Sequence, residues 1–319
     1  VDSQRCTSRS SPTAGTGDRA TKLPQFLIVG AMKSATTTLW ETIRQHPQIF
    51  MPTLKEPHFF VQPEYLDLLS KESKELLKKS TPANFDEYVA LFAASMAHQL
   101  CGEASASYFL LPELSIPRIR ATLGDIRIVI SLRNPYERAW SEFKMHHRDQ
   151  LLPDPGAYFT RRAHEALRGD SSTAALYISQ SLYSARVEAF LSSFSRVHIV
   201  VVDDLLKEPR ASLQSLYAFL GVDPAVGFDR LLYKNESVGI PMVSSTVLCA
   251  LNVIKPLARA LLTASLGEQR WPIVRTKIYR QLRKKPRMPE SARVALRGLF
   301  QPDIARLESL LQRELSSWS

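Results

Sequence analysis

The sequence predicts an α/β protein with a central parallel β-sheet flanked by helices, and three observations carry that prediction. Phe26, Leu27, Ile28 and Val29 form a short apolar run that stops at Gly30, as a strand buried on both faces does. Ile126 to Leu132 (IRIVISL) is a second run, β-branched on both faces and therefore a central strand, and Arg196 to Val202 (RVHIVVV) is a third buried one. Amphipathic segments separate these runs, and strands alternating with helices are the pattern of a parallel sheet with crossover connections. The chain has 319 residues, 45% of them hydrophobic and 23% charged, which excludes the disordered and fibrous classes.

The rest is organised around Leu23 to Phe60. After Gly30 come small and hydroxylated residues, Ala31, Ser34, Ala35, Thr36, Thr37 and Thr38, with Lys33 among them. An amphipathic segment carrying Leu39, Trp40 and Ile43 follows and closes at His46-Pro47. Strand, tight turn with a lysine, then helix start is the geometry of a phosphate cradle. The unpaired N–H groups of the first helical turn and the positive end of the helix dipole both favour an anion there. The turn is not the nucleoside-triphosphate version, because Lys33 stands three residues after Gly30 with no second glycine before it. G-x-G-x-x-G is absent as well, which excludes a dinucleotide turn. The turn alone also fits an apolar strand followed by a Thr-capped helix.

Pro57 biases Glu56 away from helical geometry, so Glu56 sits in an extended or turn segment, Lys55-Glu56-Pro57-His58-Phe59-Phe60. Near a phosphate loop it is a candidate general base, although residue type alone favours a solvent-facing loop glutamate. Arg133-Asn134-Pro135 reads as the end of a strand, an N-cap and a proline at the first helical position, opening a helix over Tyr136 to His147. An arginine at the carboxyl end of a parallel strand sits on the ligand-binding edge of an open sheet, where Arg133 could clamp a phosphate. Ser141 lies roughly 9 Å along that helix from Pro135, so spacing alone does not bring it to Arg133.

Residues 1–22 are polar and aperiodic and read as a disordered tail, with one folded domain over 23–319. Helical segments are expected over Tyr65 to Lys79, Asn84 to Ala97, Leu114 to Thr122, Leu182 to Phe194, Asp204 to Gly221 and Ser291 to Trp318. A short strand is expected over Gln99 to Glu103, followed by the polar turn Ala104 to Ser107. Lys71, Lys74, Lys78 and Lys79 read as a solvated face, and His198 as a mid-strand histidine. Val243 to Leu262 is apolar in patches and reads as a surface-lying or lid-like pair that could touch a lipid.

The formal net charge of +10 suggests phosphate-bearing or polyanionic partners, and Trp271 to Glu290 packs seven basic residues against one acid. Zinc-ligand spacing and RNA-recognition signatures are both missing, so nucleic acid is not the expected partner. Cys6, Cys101 and Cys249 are scattered, which argues against a disulfide framework and for a reducing compartment. No apolar run reaches the ~18 residues of a membrane span.

Three segments together resemble the sulfotransferases that use 3′-phosphoadenosine 5′-phosphosulfate (PAPS), closest to the branch with the heparan sulfate enzymes and their bacterial relatives. LPQFLIVGAMKSATTTL resembles that family's 5′-phosphosulfate loop, a Walker-like turn with the lysine displaced. RIVISLRNPYERAWSEF resembles its 3′-phosphate segment, with a serine eight residues after the arginine. KEPHFF resembles the segment that carries the catalytic glutamate. The resemblance implies a P-loop-like three-layer fold with PAPS as co-substrate and no metal. It implies that Lys33, Ser34, Ala35, Thr36, Thr37 and Thr38 hold the 5′-phosphate and that Arg133 and Ser141 hold the 3′-phosphate. Glu56 is implied as the base and Lys33 as the group that stabilises the leaving phosphate. Lys284, Lys285 and Arg287, in RKKPRMP, stand where the family has a basic, glycine-containing loop over the nucleotide. The acceptor is then a hydroxyl of a glycan, glycolipid or secondary metabolite. With no counterpart to the cysteine pair of secreted relatives, a bacterial cytoplasmic location is expected before a Golgi one. Two competing readings are a nucleotide-dependent kinase, with Ser34 and Asp203 serving Mg²⁺, and a basic nucleic-acid-binding protein.

Overall fold

A computed structural model describes residues 22–147, 152, 154–168, 177–226, 231, 240–241, 283–284 and 286–318. The 1–21 segment, Val243–Leu262, Lys285, Cys6, Cys249 and most of Trp271–Glu290 lie outside the described residues.

The chain begins its sheet at β1 (Phe26–Gly30), turns into α1 (Thr36–Ile43) and continues to the short β2 (Ile49–Phe50). A 3-10 turn (Phe59–Val61), α2 (Glu64–Asp67), α3 (Lys71–Ser80) and α4 (Phe85–Ala90) lead to β3 (Leu100–Ala104). Next come α5 (Ser107–Leu110), α6 (Pro112–Leu123), β4 (Arg127–Leu132), α7 (Pro135–His146), α8 (Pro155–Leu167) and α9 (Ser184–Ser193). The last parallel strand, β5 (Val197–Val201), is followed by α10 (Val202–Lys207) and α11 (Pro209–Leu220). A two-stranded antiparallel pair, β6 (Ile240–Pro241) with β7 (Arg283–Lys284), precedes α12 (Glu290–Leu311) and a 3-10 turn (Ser316–Trp318).

The five-stranded sheet has the order β2-β3-β1-β4-β5, and every neighbour pair is parallel. Strand alternation splits β1 between two cores, which makes the fold three-layered. Phe26 and Ile28 pack with Leu39, Trp40 and Ile43 of α1 and Leu213, Leu216 and Tyr217 of α11. Leu27 and Val29 face the other way, in the core that holds Ile119, Trp140, Phe143, Leu296 and Phe300. The chain leaves β1 toward β2 on one side and leaves β4 toward β5 on the other. The reversal therefore falls between β1 and β4, and ligands of open α/β sheets bind outside the carboxyl ends at such a point.

Several sequence boundaries shift, each for a local reason. The helix expected over Tyr65–Lys79 is two, because Ser70 caps a new start by accepting from the Ser73 N–H. Asn84 likewise caps a helix that ends at Ala90 rather than Ala97. Asp204–Gly221 breaks at Glu208-Pro209, and Gly221 ends it in the left-handed conformation at φ 77°. The final helix stops at Leu311, where Gln312 turns left-handed. β5 is an edge strand with its first three residues only half-buried, so its apolar run overstated its burial. His198 sits mid-strand against Phe219 with ring centroids 5.0 Å apart, and burial lowers its pKa. No residue of α3 is buried, as its lysines suggested.

Gly102 is required by close approach, since a Cβ there would meet the Phe26 ring at 2.2 Å. Phe26 is fully buried and cannot retreat. Gly102→Ala is expected to cost about 1–3 kcal/mol or more, read as a lower denaturant midpoint at unchanged slope.

Candidate active site

The turn between β1 and α1 is tied to β4. Ala31 N–H donates to the Ser131 carbonyl (2.7 Å), and Ser131 Oγ donates to the Ser34 carbonyl (2.5 Å). Lys33 (φ 65°) and Ala35 (φ 59°) take the left-handed conformation that side chains disfavour. Such strain concentrates where a loop must aim its groups at a ligand. Ala35 occupies the N-cap of α1 and no side chain caps the helix, a departure from the Thr-capped alternative. Among the described residues, the first N–H groups of α1 therefore have neither an intrahelical acceptor nor a side-chain one. Ser34 is fully buried, yet among the described residues its Oγ has no partner at hydrogen-bond distance, the Tyr183 hydroxyl being near enough only to feel it. An orphaned hydroxyl beside uncapped N–H groups is the donor set that a phosphate oxygen satisfies, so the turn fits the 5′ end of the nucleotide that the family implies. Thr36 and Thr38 are buried and Thr37 half-buried.

Helix α7 brings its loop-facing side to this turn. Lys33 Nζ lies 3.6 Å from Met145 Sδ. Ser141, one turn earlier on the same face, is 8% exposed. One turn earlier again, Arg138 is buried and donates to the Met32 carbonyl (3.0 Å), the Tyr177 carbonyl (2.8 Å) and Ser181 Oγ (2.9 Å). It also pairs with Glu142; against burial, which raises it, Arg138 and His146 hold the Glu142 carboxyl below the usual range. Arg138 is thus a buried strut between the lysine turn and α7. Its i+5 place after Arg133 was visible in the sequence, but its burial was not.

Arg133 follows β4 directly, at the point where the strand order reverses. Its guanidinium lies 3.6 Å from Glu137, and its carbonyl accepts from the Tyr183 hydroxyl (3.0 Å). Asn134 caps α7 as expected, accepting from the N–H groups of Tyr136 and Glu137, and donates to the Ser317 carbonyl (3.2 Å). Trp318 Nε1 in that C-terminal turn donates to Asp203 (2.7 Å), so the carboxylate that the kinase reading assigns to Mg²⁺ is already engaged. Pro286 O accepts from Trp140 Nε1 (2.8 Å), which ties the basic segment to α7. Lys284 and Arg287 flank it and are exposed.

Glu56 stands on a second strained turn, with φ 62° at Glu56 and 54° at His58. Together the two turns hold four of the five non-glycine residues at positive φ among the described residues. The Glu56 N–H donates to the Ala104 carbonyl (3.0 Å), and Glu56 Oε2 accepts from the Ala106 N–H (2.7 Å). Lys55 Nζ pairs with the other carboxylate oxygen. His58 Nδ1 is 3.9 Å from Glu56 Oε2 and 2.7 Å from Ser107 Oγ. Burial lowers the His58 pKa, against a smaller opposing pull from Glu56.

The segment after β3 joins the two turns. Ser105 N–H donates to the Ile28 carbonyl (3.0 Å), and a Cβ on Gly30 would lie 3.2 Å from the Ala106 carbonyl and 2.5 Å from Phe109 Cβ. Ala106 therefore faces the lysine turn with its carbonyl and Glu56 with its N–H. The polar turn Ala104–Ser107 was legible in the sequence; its partners were not.

Glu103, within β3, has no exposed surface and is held by three hydroxyls, Tyr108 (2.7 Å), Ser105 (2.9 Å) and Tyr88 (3.3 Å). Burial pushes its pKa up to about 7, although the hydroxyls pull the other way. The folded state then holds a proton that the unfolded state releases near the ordinary value of 4.5. Its stabilising contribution is present below pH ~4.5 and is lost as pH rises through ~7. Urea titrations of wild type and Glu103→Gln across pH 4–8 are expected to differ in this window by on the order of 3 kcal/mol.

A sulfotransferase family model matches residues 24–225, which include both turns, β3, β4 and α7. The mouse heparan sulfate glucosamine 3-O-sulfotransferase 3B1 is 28% identical over 239 residues, covering 73% of this chain and 54% of that protein. The human heparan sulfate glucosamine 3-O-sulfotransferase 6 is 28% identical over 231 residues, with 72% and 60% covered. The chain thus spans about half to three-fifths of the length of these curated relatives. A crystal structure of a sulfotransferase from Alicyclobacillus acidocaldarius superposes with a TM-score of 0.66 at 25% identity, covering 93% of this chain and 99% of that one. With its family model spanning the strand-end arginine and both strained turns, the chain belongs to the sulfotransferase family.

Proposed function

We propose that this protein transfers a sulfuryl group from PAPS to an acceptor hydroxyl, with Glu56 as the general base. The observation that carries the reading is the pairing of an uncapped, orphan-bearing lysine turn with a carboxylate held on the adjoining turn. The donor supplies an activated sulfur whose leaving group is a phosphate. The N–H groups of α1, Ser34 and the hydroxyls of Thr36, Thr37 and Thr38 bind that phosphate, Ala35 contributing backbone only. Lys33 places a fixed positive charge at the leaving oxygen, where negative charge grows as the sulfur–oxygen bond breaks. Arg133 and Ser141 bind the 3′-phosphate, which selects this nucleotide over ADP and ATP. Glu56 takes the proton from the acceptor hydroxyl as its oxygen forms the new bond to sulfur. Lys284 and Arg287 add positive charge along the nucleotide. The cationic side chains and helix N–H groups supply what Mg²⁺ supplies in triphosphate enzymes, so no metal is required.

For the acceptor, we favour a carbohydrate hydroxyl, supported by the names of the similar relatives. For its location we favour a reducing, cytoplasmic compartment; Cys101 is buried and unpaired among the described residues. Among the described residues no helix is long and apolar enough to cross a membrane. Incubation with ³⁵S-labelled PAPS and a panel of heparan sulfate, neutral glycans and glycolipids tests the assignment. Label is expected on a glycan, without added metal and in the presence of EDTA. Transfer to lipid alone contradicts the carbohydrate assignment, and metal-dependent transfer contradicts the charge argument.

A further inference from the structure

We infer that Glu103 is a positioning residue for the reaction, holding the Glu56–His58 turn in place through Ser105. The inference rests on Glu56 being the base. A carboxylate with no solvent contact, inside a strand whose β1 partner is Leu27, is costly unless its oxygens are used. Among the described residues, all the hydrogen-bond partners of its carboxylate are hydroxyls. Tyr88 of α4 and Tyr108 of α5 donate to Oε1, and Ser105 donates to Oε2.

A serine hydroxyl has one proton and two lone pairs. With its proton committed to Glu103, Ser105 Oγ can only accept, and it accepts from the His58 N–H at 3.1 Å. Ser105 thereby pins the residue two positions after Glu56. The flanking backbone groups complete the hold, Ala104 O on the Glu56 N–H and Ala106 N–H on the Glu56 carboxylate. His58 Nδ1 and Ser107 Oγ close the same turn from its other side. Both Glu56 and His58 are at positive φ, so the turn relaxes if these anchors are lost.

The proton state of Glu103 matters to this arrangement. A proton on Oε2 turns that oxygen into a donor toward Ser105, which can still accept from the His58 N–H on its other lone pair, so what is lost is the acceptor that fixes the Ser105 hydroxyl. The groups facing Glu103 are Tyr88, Tyr108, Ser105 and the Glu56 carboxylate, the last a like charge that raises the Glu103 pKa. His58 sits behind Ser105 with its own pKa lowered. Ionised Glu103 is therefore the form that fixes the Ser105 hydroxyl, while the His58 N–H bond is open to both forms.

The test is hydrogen–deuterium exchange of the full chain with PAP bound, comparing residues 54–61 with 26–43, for wild type, Ser105→Ala and Glu103→Gln. After correction for intrinsic exchange, protection of 54–61 at pH 8 is expected to be roughly tenfold higher in wild type than in either variant. Both variants are expected to leave 26–43 unchanged and PAP affinity within twofold of wild type. A general packing defect would instead loosen both segments. On an acceptor identified by the ³⁵S assay, kcat is expected to fall about tenfold in Ser105→Ala while the KM for PAPS stays put. Ser105→Ala covers the case in which Glu103→Gln does not fold. Wild-type protection and kcat in Ser105→Ala overturn the inference. Full activity in Glu56→Gln, run alongside, overturns the base assignment and the role of Glu103 with it. That failure is separable, because the exchange data do not depend on which group is the base.

Discussion

Glu56→Gln is expected to lower kcat by about 10²–10⁴-fold while leaving PAP affinity within twofold of wild type. The substitution keeps the side-chain shape and one carbonyl oxygen able to accept from the Ala106 N–H, so the turn stays assembled. What it removes is the capacity to take a proton from the acceptor. A loss confined to kcat locates the defect in the transition state rather than in binding. Equal losses in PAP affinity would instead make Glu56 part of the donor site. Steady-state kinetics beside a calorimetric PAP titration separate the two outcomes.

Arg133→Ala carries the second large effect. A guanidinium on a phosphate forms charge-assisted hydrogen bonds, and removing such a partner costs roughly 1.5–3 kcal/mol, or about 10–100-fold in Kd. The loss is expected for PAP and not for ADP, which has no 3′-phosphate to lose. Arg133 already lies 3.6 Å from Glu137, so the variant also frees a carboxylate near the site. The double variant Arg133→Ala/Glu137→Gln is expected to regain part of the PAP affinity. A parallel drop in PAP and ADP affinity would assign Arg133 to the 5′ side or to general attraction of anions.

The framework of the candidate donor site was legible in the sequence because its elements follow one another along the chain. The apolar run to Gly30, the lysine turn and the Arg-Asn-Pro strand end are local signals, and β1 and β4 prove to be hydrogen-bonded neighbours. Asn134 caps α7 as its position before Pro135 implied. The support beneath the site was not legible, because it depends on contacts between distant residues. Arg138 reads as one more helical arginine until its guanidinium is found on the Met32 and Tyr177 carbonyls. Glu103 reads as the polar end of a strand until three hydroxyls are found around it. Tyr183 reaches the Arg133 carbonyl while its own N–H is held by Asp303, 120 residues away. Periodicity failed in a different way at Tyr65–Lys79 and at Asp204–Gly221, where a serine cap and a proline divide segments that remain amphipathic across the break.

The central claim is that the strand-end arginine and the lysine turn form one site for a nucleotide phosphorylated at both ends of its ribose. The most direct measurement is calorimetric titration of the wild-type protein with PAP and with ADP, each in EDTA. The account predicts tight one-to-one binding of PAP and at least tenfold weaker binding of ADP. Equal affinities, or PAP binding only after Mg²⁺ is added, would contradict it.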